Sequence, residues 1–373
     1  MHLQEQVYVP LGLYVHVPFC GIPCSYCAFY KERLTPTALE RYTRCLCAEI
    51  RSIDDDRAFD TIYFGGGNPG VLGPEQIGQI AENIHQKLRQ SPSEWTVECS
   101  PNTVSEAKLR AWKSAGVNRL SLGVQSFDER TLGALGRKQN PSQIFQAYEL
   151  IRQMGYRNVN FDLIFSAPGQ TAAQLLADLT TAIFLAPEHI STYCLTYEDG
   201  TPLSQKMGNG AEEGRDRDFY EMVCDFLGSR GYEQYEISNF CQRSYASVHN
   251  KNTWRMADWI GLGPSASSQY RGKRYSQISS VGRWAAGVEN HSPEWSDIVN
   301  LDKKTLAIDK IIFGLRMNEG VDIARNPCGD QLKSLFQNLQ NEALLIRDGP
   351  IIRLTRRGRL LCDAIAREIF NIL

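Results

Sequence analysis

Cys20, Cys24 and Cys27 follow the spacing C-x3-C-x2-C in the stretch PFCGIPCSYC, and none of the remaining cysteines is near enough to complete a local set of four. Three thiolates can hold three irons of a [4Fe–4S] cluster, which ordinarily takes four protein ligands; the fourth iron then stays open to a ligand that is not protein. Gly21 and Pro23 suit a tight loop that aims three sulfurs at one cube, which no regular helix can do at this spacing. Structural zinc is the competing reading, because His16 precedes Cys20 at x3 spacing and makes up a set of four zinc-type ligands. Against zinc, His16 lies inside the alternating stretch LYVHV, where the pleat fixes its direction. A third reading, three thiols buried as small hydrophobes, fits poorly with the Gly, Pro and Ser around them.

Further residues of chemical interest are GGGNPG at 65–70, Glu98 in ECSPN, Gln125 in GVQSF and Asp162 ahead of SAPGQ. Gly65, Gly66 and Gly67 carry no Cβ, so backbone N–H and C=O groups there can approach a zwitterionic amino acid closely; a plain turn is an equal reading, and the GK[ST] of a phosphate-binding loop is absent. Glu98 and Asp162 can each be a satisfied structural carboxylate, but together they suit a ligand with ribose hydroxyls and a cation.

The positions of these residues follow from the elements around them. Strand-like segments at 11–17, 60–65, 95–99, 118–125, 157–165 and 189–196 alternate with helical patterns at 37–52, 75–89, 106–115, 142–154 and 172–185, opened by Thr35-Pro36, Gly73-Pro74, Ser105, Asn140-Pro141 and Thr171. Strict alternation predicts a parallel sheet, and six units predict a partial (β/α)6 barrel, with the chemistry at the C-terminal ends of the strands. All the residues singled out above fall there. After about residue 200 the rhythm stops: 201–216 is polar and Gly-rich, 217–230 a helix and 231–275 an irregular aromatic segment. Helices near 303–317 and 330–345, a hairpin turning at Asp348-Gly349 and a last helix at 356–372 predict a small α-rich, winged-helix-like C-terminal domain. The division is expected as 1–235 for the core and 236–373 for the remainder.

Composition restricts the function. The chain has 373 residues, 42% of them hydrophobic, and Lys+Arg 40 against Asp+Glu 42 gives a net charge of −2 with no basic block, which argues against nucleic acid as a partner. Neither a cationic leader nor a run of ~18 apolar residues occurs, so a cytoplasmic protein with no integral membrane segment is expected. Of the 11 cysteines, Cys99, Cys194, Cys224 and Cys362 stand alone in apolar segments, as reduced thiols do.

LYVHVPFCGIPCSYCAF, TIYFGGGNP, VECSPNTV, GVNRLSLGVQSFDERTLGALGR, NFDLIFSAPGQT and YEISNF…HNKNTW occur in the order seen in radical S-adenosylmethionine (radical SAM) proteins of the coproporphyrinogen-oxidase-like group. The chain resembles that group from about residue 11 to its end, most nearly its HemW-type, heme-chaperone branch. The resemblance implies that Cys20, Cys24 and Cys27 hold the [4Fe–4S] cluster and that S-adenosylmethionine chelates the open iron. Tyr14, Tyr26, Gly66, Gly67, Asn68, Glu98, Gln125, Arg137, Asp162 and Thr196 would line that cofactor. His249, in a segment similar to HNxxYW, would bind heme, with Tyr235, Phe240, Tyr245, Trp254 and Trp259 as flat apolar cover. Departures from the family's patterns are Ala28 for Asp, Asn68 for Thr, Ser100 in the ExNP-like segment, Thr253 for Tyr and Ser267 for His.

Two functions follow from the resemblance: a heme chaperone that delivers heme to an acceptor protein such as a respiratory one, or an oxygen-independent coproporphyrinogen III oxidase, a radical enzyme that decarboxylates propionates. The oxidases resemble C-x3-C-x2-C-x-C and carry an extension ahead of the cluster loop. Here Phe29 occupies the position of the extra cysteine, as in HemW-type members, and coproporphyrinogen dehydrogenase activity is not expected.

Overall fold

The period-two pattern of the strands predicts two different faces, and both form. The structure, a computed structural model, describes residues 9–21, 23–208 and 210–373. Residues 1–8, read above for a leader, lie outside the described residues, as do Ile22 of the cluster loop and Asn209. Six strands, β1 (Leu11–Val17), β2 (Thr61–Gly66), β3 (Glu94–Cys99), β4 (Arg119–Gln125), β5 (Val159–Phe165) and β6 (His189–Cys194), lie side by side in chain order, every neighbouring pair parallel. Helices α1 (Pro36–Arg51), α2 (Pro74–His85), α3 (Glu106–Ala115), α4 (Pro141–Gln153) and α5 (Ala172–Leu185) connect them. Their starts follow from the sequence: Thr35 accepts from the Ala38 amide, while Asn140 with Gln143 and Thr171 with Gln174 form reciprocal capping boxes. The expected (β/α)6 arrangement is the one observed.

One face of each strand supplies apolar side chains, Leu13, Ile62, Val97, Leu122 and Phe161 among them, to a buried core shared with Leu46, Ile80, Trp112, Ile151 and Leu179 of the helices. The other face is polar. Thr61, Glu94, Thr96, Arg119, Ser121, Asn160, His189 and Ser191 are all buried there, and hydrogen bonds link several of them across the sheet, such as Asn160 Nδ2 to Ser121 Oγ at 2.7 Å and His189 Nδ1 with Asn160 Oδ1 at 2.6 Å. Buried polar groups are tolerated when paired in this way, so the polar face is the inner wall.

The sheet does not stop where the sequence pattern does. Asn239–Cys241 joins the β6 edge antiparallel, and at the opposite edge Asp258–Leu262 pairs parallel with β1, Leu11 opposite Asp258 and Val15 opposite Leu262. Three antiparallel strands extend from it, the last being Trp295–Asn300, and at the other edge Glu233–Gln234 pairs outside Asn239–Cys241, so the whole sheet has 12 strands. The division expected after residue 235 therefore cuts through this sheet. A separate buried core begins at Ala307 and runs to Ile369, built from the helices Lys303–Gly314, Lys333–Asn341 and Cys362–Ile372 and a three-stranded sheet that contains the expected hairpin. The aromatic segment 231–275 lacks the alternation that marks the first six strands, which is why its strands escaped notice.

Candidate functional site

The cluster loop is anchored at several points. At its root, Phe19–Cys20 pairs parallel with Glu32–Arg33, and the Glu32 amide donates to the Pro18 carbonyl at 2.7 Å. Within the loop, Ser25 Oγ donates to the Leu135 carbonyl at 2.9 Å, and the Ser25 carbonyl accepts from the Leu203 amide at 2.9 Å. Lys31 Nζ donates to the Cys27 carbonyl at 2.5 Å. The thiols of Cys20, Cys24 and Cys27 are free and half-buried. Burial pushes Cys20 up to about 11, the neighbouring Cys27 and Cys24 add to this, and Lys31 and Arg137 oppose it. Cys24 is raised by burial against the pull of Arg137. The three sulfurs thus act on one another and on the same two cations, although among the described residues no three ligating groups are closed around a metal position.

From the loop the site continues to the strand ends. Arg137 Nη2 donates to Tyr26 Oη at 3.2 Å, while its Nε is buried without a partner. A Cβ built on Gly123 would lie 3.1 Å from Gln125 Nε2 and 3.6 Å from Arg137 Nη2, so these two side chains converge over that glycine. Asp162 sits opposite Gly123 on β5 and accepts from Ser121 Oγ at 3.0 Å and Asn160 Nδ2 at 2.9 Å. Its carboxyl is raised by burial, with Arg119 and Arg137 pulling it back. Glu98 is pushed up to about 7 by burial and by Asp162, with the Tyr63 hydroxyl and the Gly66 amide holding it down. Tyr63 Oη donates to Glu98 Oε1 at 2.7 Å. Tyr14 contacts His16 Nδ1 through its hydroxyl at 3.0 Å, and its ring centroid lies 6.2 Å from that of Tyr63.

The glycine run has a packing cause. Gly66 adopts φ +104, and a Cβ there would lie 2.6 Å from the His16 ring; one on Gly67 would lie 2.9 Å from the Val17 and Phe19 carbonyl oxygens. Asn68 caps the short turn Pro69–Val71 by accepting from the Gly70 amide at 3.1 Å. Thr196, beyond the end of β6, is exposed and lines a cavity of about 650 Å³ with Cys194, Tyr197 and Asp216.

His249 stands apart from all of these. It opens helix α6 (Val248–Trp254), whose Ser247, Val248 and His249 all bond to the Glu94 carboxylate. Its ring points into the barrel at the starting ends of β1 and β2: Nδ1 meets Thr61 Oγ1 at 2.8 Å, the Tyr63 ring is 5.1 Å away, and a Cβ on Gly12 would lie 3.2 Å from Cε1. The ring is 8% exposed and burial lowers it to about 4. Of the aromatics grouped with it by sequence, Phe240 is core, Tyr235 bonds His189 inside the barrel, and Trp254 stacks on Phe313 of the helix Lys303–Gly314 beneath Arg316.

The Radical SAM superfamily model matches residues 14–182, and the HemN C-terminal domain model matches 301–361. Heme chaperone HemW of Lactococcus lactis is 30% identical over 94% of this chain and 94% of its own, and that of Bacillus subtilis is 32% identical over 94% and 97%. HemW of Escherichia coli is 34% identical over 69% of each. This chain belongs to the HemW family of radical SAM proteins. Its fold is that of the solved coproporphyrinogen III oxidase HemN of Escherichia coli, with a TM-score of 0.85 at 22% identity, covering 98% of this chain and 91% of that one.

Membership brings a [4Fe–4S] cluster and S-adenosylmethionine as cofactors, and the residues present fit both. Three soft thiols beside the two cations Lys31 and Arg137 are a donor set for an iron–sulfur cluster rather than for a hard ion. Arg137, whose Nε is buried without a partner, bonds Tyr26 of that loop and acts on the half-buried Asp162, which in turn acts on Glu98. Sequence reasoning missed Tyr63 and Lys31. Tyr63 sits in a strand where an aromatic reads as packing, and Lys31 gives no signal beyond its nearness to the cysteines.

Proposed function

We propose that this protein is a heme chaperone: it binds heme and passes it to an acceptor protein. Cys20, Cys24 and Cys27 hold the cluster, and Tyr14, Tyr26, Gly66, Gly67, Asn68, Glu98, Gln125, Arg137, Asp162 and Thr196 form the S-adenosylmethionine site. Its likeness to heme chaperones over nearly the whole of both chains carries this reading, together with the loop that offers Phe29, 69% exposed, where an oxidase-type loop has a further cysteine. When bound, the cluster supplies one-electron chemistry and an open iron. The loop's part is to present three thiolates against Lys31 and Arg137; the strand ends supply carboxylates for a cationic, hydroxylated ligand. No helix among the described residues is long and apolar enough to cross a membrane, and we place the protein in the cytoplasm, with a respiratory protein as the acceptor class. We set the division between the two domains near residue 300.

The test is anaerobic reconstitution followed by heme titration and transfer to an apo-hemoprotein, with coproporphyrinogen III offered in parallel. Heme uptake and transfer without decarboxylation is expected; stoichiometric carbon dioxide from coproporphyrinogen would favour the oxidase instead. As for His249, its hydrogen bond to Thr61 and its stacking on Tyr63 favour a role in the barrel base. His249→Ala should then lower the melting temperature and leave the Soret band unchanged. A shifted Soret band at unchanged melting temperature would return the ring to the heme.

A further inference from the structure

Tyr63 lies one strand away from Glu98, on the polar inner wall; it stands inside the stretch TIYFGGGNP, but the resemblance gives it no cofactor role. Its ring stands between Tyr14, at 6.2 Å, and His249, at 5.1 Å, in tilted contact with each. The ring is thus flanked on two sides, and its hydroxyl donates to Glu98 Oε1 at 2.7 Å. Gly65 leaves room for this pair: a Cβ there would lie 3.0 Å from the Tyr63 ring and 3.1 Å from Glu98 Oε1. The bond is of the charge-assisted type, short and directional.

We propose that Tyr63 is a positioning residue for S-adenosylmethionine: by donating a hydrogen bond to Oε1, it fixes, together with the Gly66 amide, the orientation in which the Glu98 carboxylate meets the cofactor. This rests on the reading that Glu98 meets S-adenosylmethionine. Without the tyrosine donor, only the Gly66 amide holds the half-buried carboxylate, which is then less well oriented and partly unsatisfied, and this weakens whatever it holds.

The same bond also opposes the protonation of the carboxylate that burial and Asp162 favour. Glu98 is faced by Asp162 on β5, Arg119 on β4, Tyr14 on β1 and Tyr193 on β6 as well as by Tyr63, and burial leaves it at about 7. The ionised form accepts from Tyr63, so removing the hydroxyl raises the carboxyl further. An affinity that needs the carboxylate therefore falls off at a higher pH in the variant than in the parent.

The experiment measures S-adenosylmethionine binding by calorimetry from about pH 6 to pH 8.5, a range chosen around the usual neutral window. It uses the cluster-loaded protein under anaerobic conditions, with Tyr63→Phe, Glu98→Gln and the double variant. Expected are an affinity about tenfold lower in Tyr63→Phe, a binding midpoint shifted to higher pH, unchanged iron content and melting temperature, and no further loss on adding Tyr63→Phe to Glu98→Gln. Parent-like binding by Tyr63→Phe beside weakened binding by Glu98→Gln would overturn the role of Tyr63 alone. So would an equal loss from Tyr63→Phe in the Glu98→Gln background, because the tyrosine would then act by another route. Parent-like binding by Glu98→Gln would overturn the underlying assignment of Glu98, and the proposal with it.

Discussion

Cys20, Cys24 and Cys27 differ from the other thiols of the chain by setting rather than by type. Cys45, Cys47 and Cys328 are buried in the two cores and serve as small hydrophobes, whereas the three loop thiols share cations and an anchored loop. Replacing any one of the three by Ala is expected to abolish the cluster, read as loss of the brown chromophore and of iron, with a change in melting temperature no larger than a half-buried side chain produces. Cys45→Ala or Cys328→Ala should do the reverse: the cluster survives and stability falls by about 1–2 kcal/mol in denaturant titration. Residues of this kind were legible because thiols, carboxylates and an amide gathered toward the C-terminal ends of successive parallel strands point jointly to chemistry, although each alone also has a structural reading. Tyr63 was not, because its role appears only once Glu98 is seen across the strand gap. Glycines 65–67 were legible as a signal, but their cause, the close passage of His16 and of the carbonyls of Val17 and Phe19, is a tertiary contact that no local pattern encodes.

Six strands and five helices could be read from period and capping alone, since each strand buries one face under helices and each helix opens on a recognisable cap. Besides the strands of 231–275, an element that could not be read is α6, a seven-residue helix whose seating is tertiary: three donors on Glu94 at its start and the His249 ring inserted over Tyr63. That seating makes it sensitive to acid. His249 is lowered by burial from 6.5 to about 4, so folding favours its neutral form; the stability this represents is complete above about pH 6.5 and is lost as the pH falls through 4. Over that interval the parent protein should lose up to ~3 kcal/mol more than a His249→Gln variant, measured as the difference in their pH profiles of unfolding free energy. Parallel profiles would mean that the ring titrates normally and is not held inside the barrel.

At the scale of the whole molecule, contacts between the two cores include Arg356 with Asp225 and the Glu221 carbonyl, Arg255 with Glu319, Trp254 with Phe313 and Arg316, Ile237, which packs against both, and, from the main sheet, Arg274 with Asp309. The strands of the main sheet themselves end at Asn300. A chain ending at residue 300 should therefore fold, bind S-adenosylmethionine after reconstitution and unfold in one transition. A chain ending at residue 235 should be insoluble or expanded, as size-exclusion chromatography and circular dichroism would show.

The pairing of Leu11–Val17 with Asp258–Leu262 also sets an order of events during synthesis. The first strand leaves the ribosome early and gains its neighbour on one side as soon as Thr61–Gly66 follows, but its other edge must wait until most of the chain has been translated. For all that time the nascent barrel carries an open, apolar-backed edge of the kind that recruits other strands. The interval also spans the emergence of the cluster loop, so iron–sulfur loading and edge closure compete for the same unfinished species. Slowing translation between residues 200 and 258 should raise the fraction captured by ribosome-associated chaperones, while a stall placed after residue 262 has emerged should not.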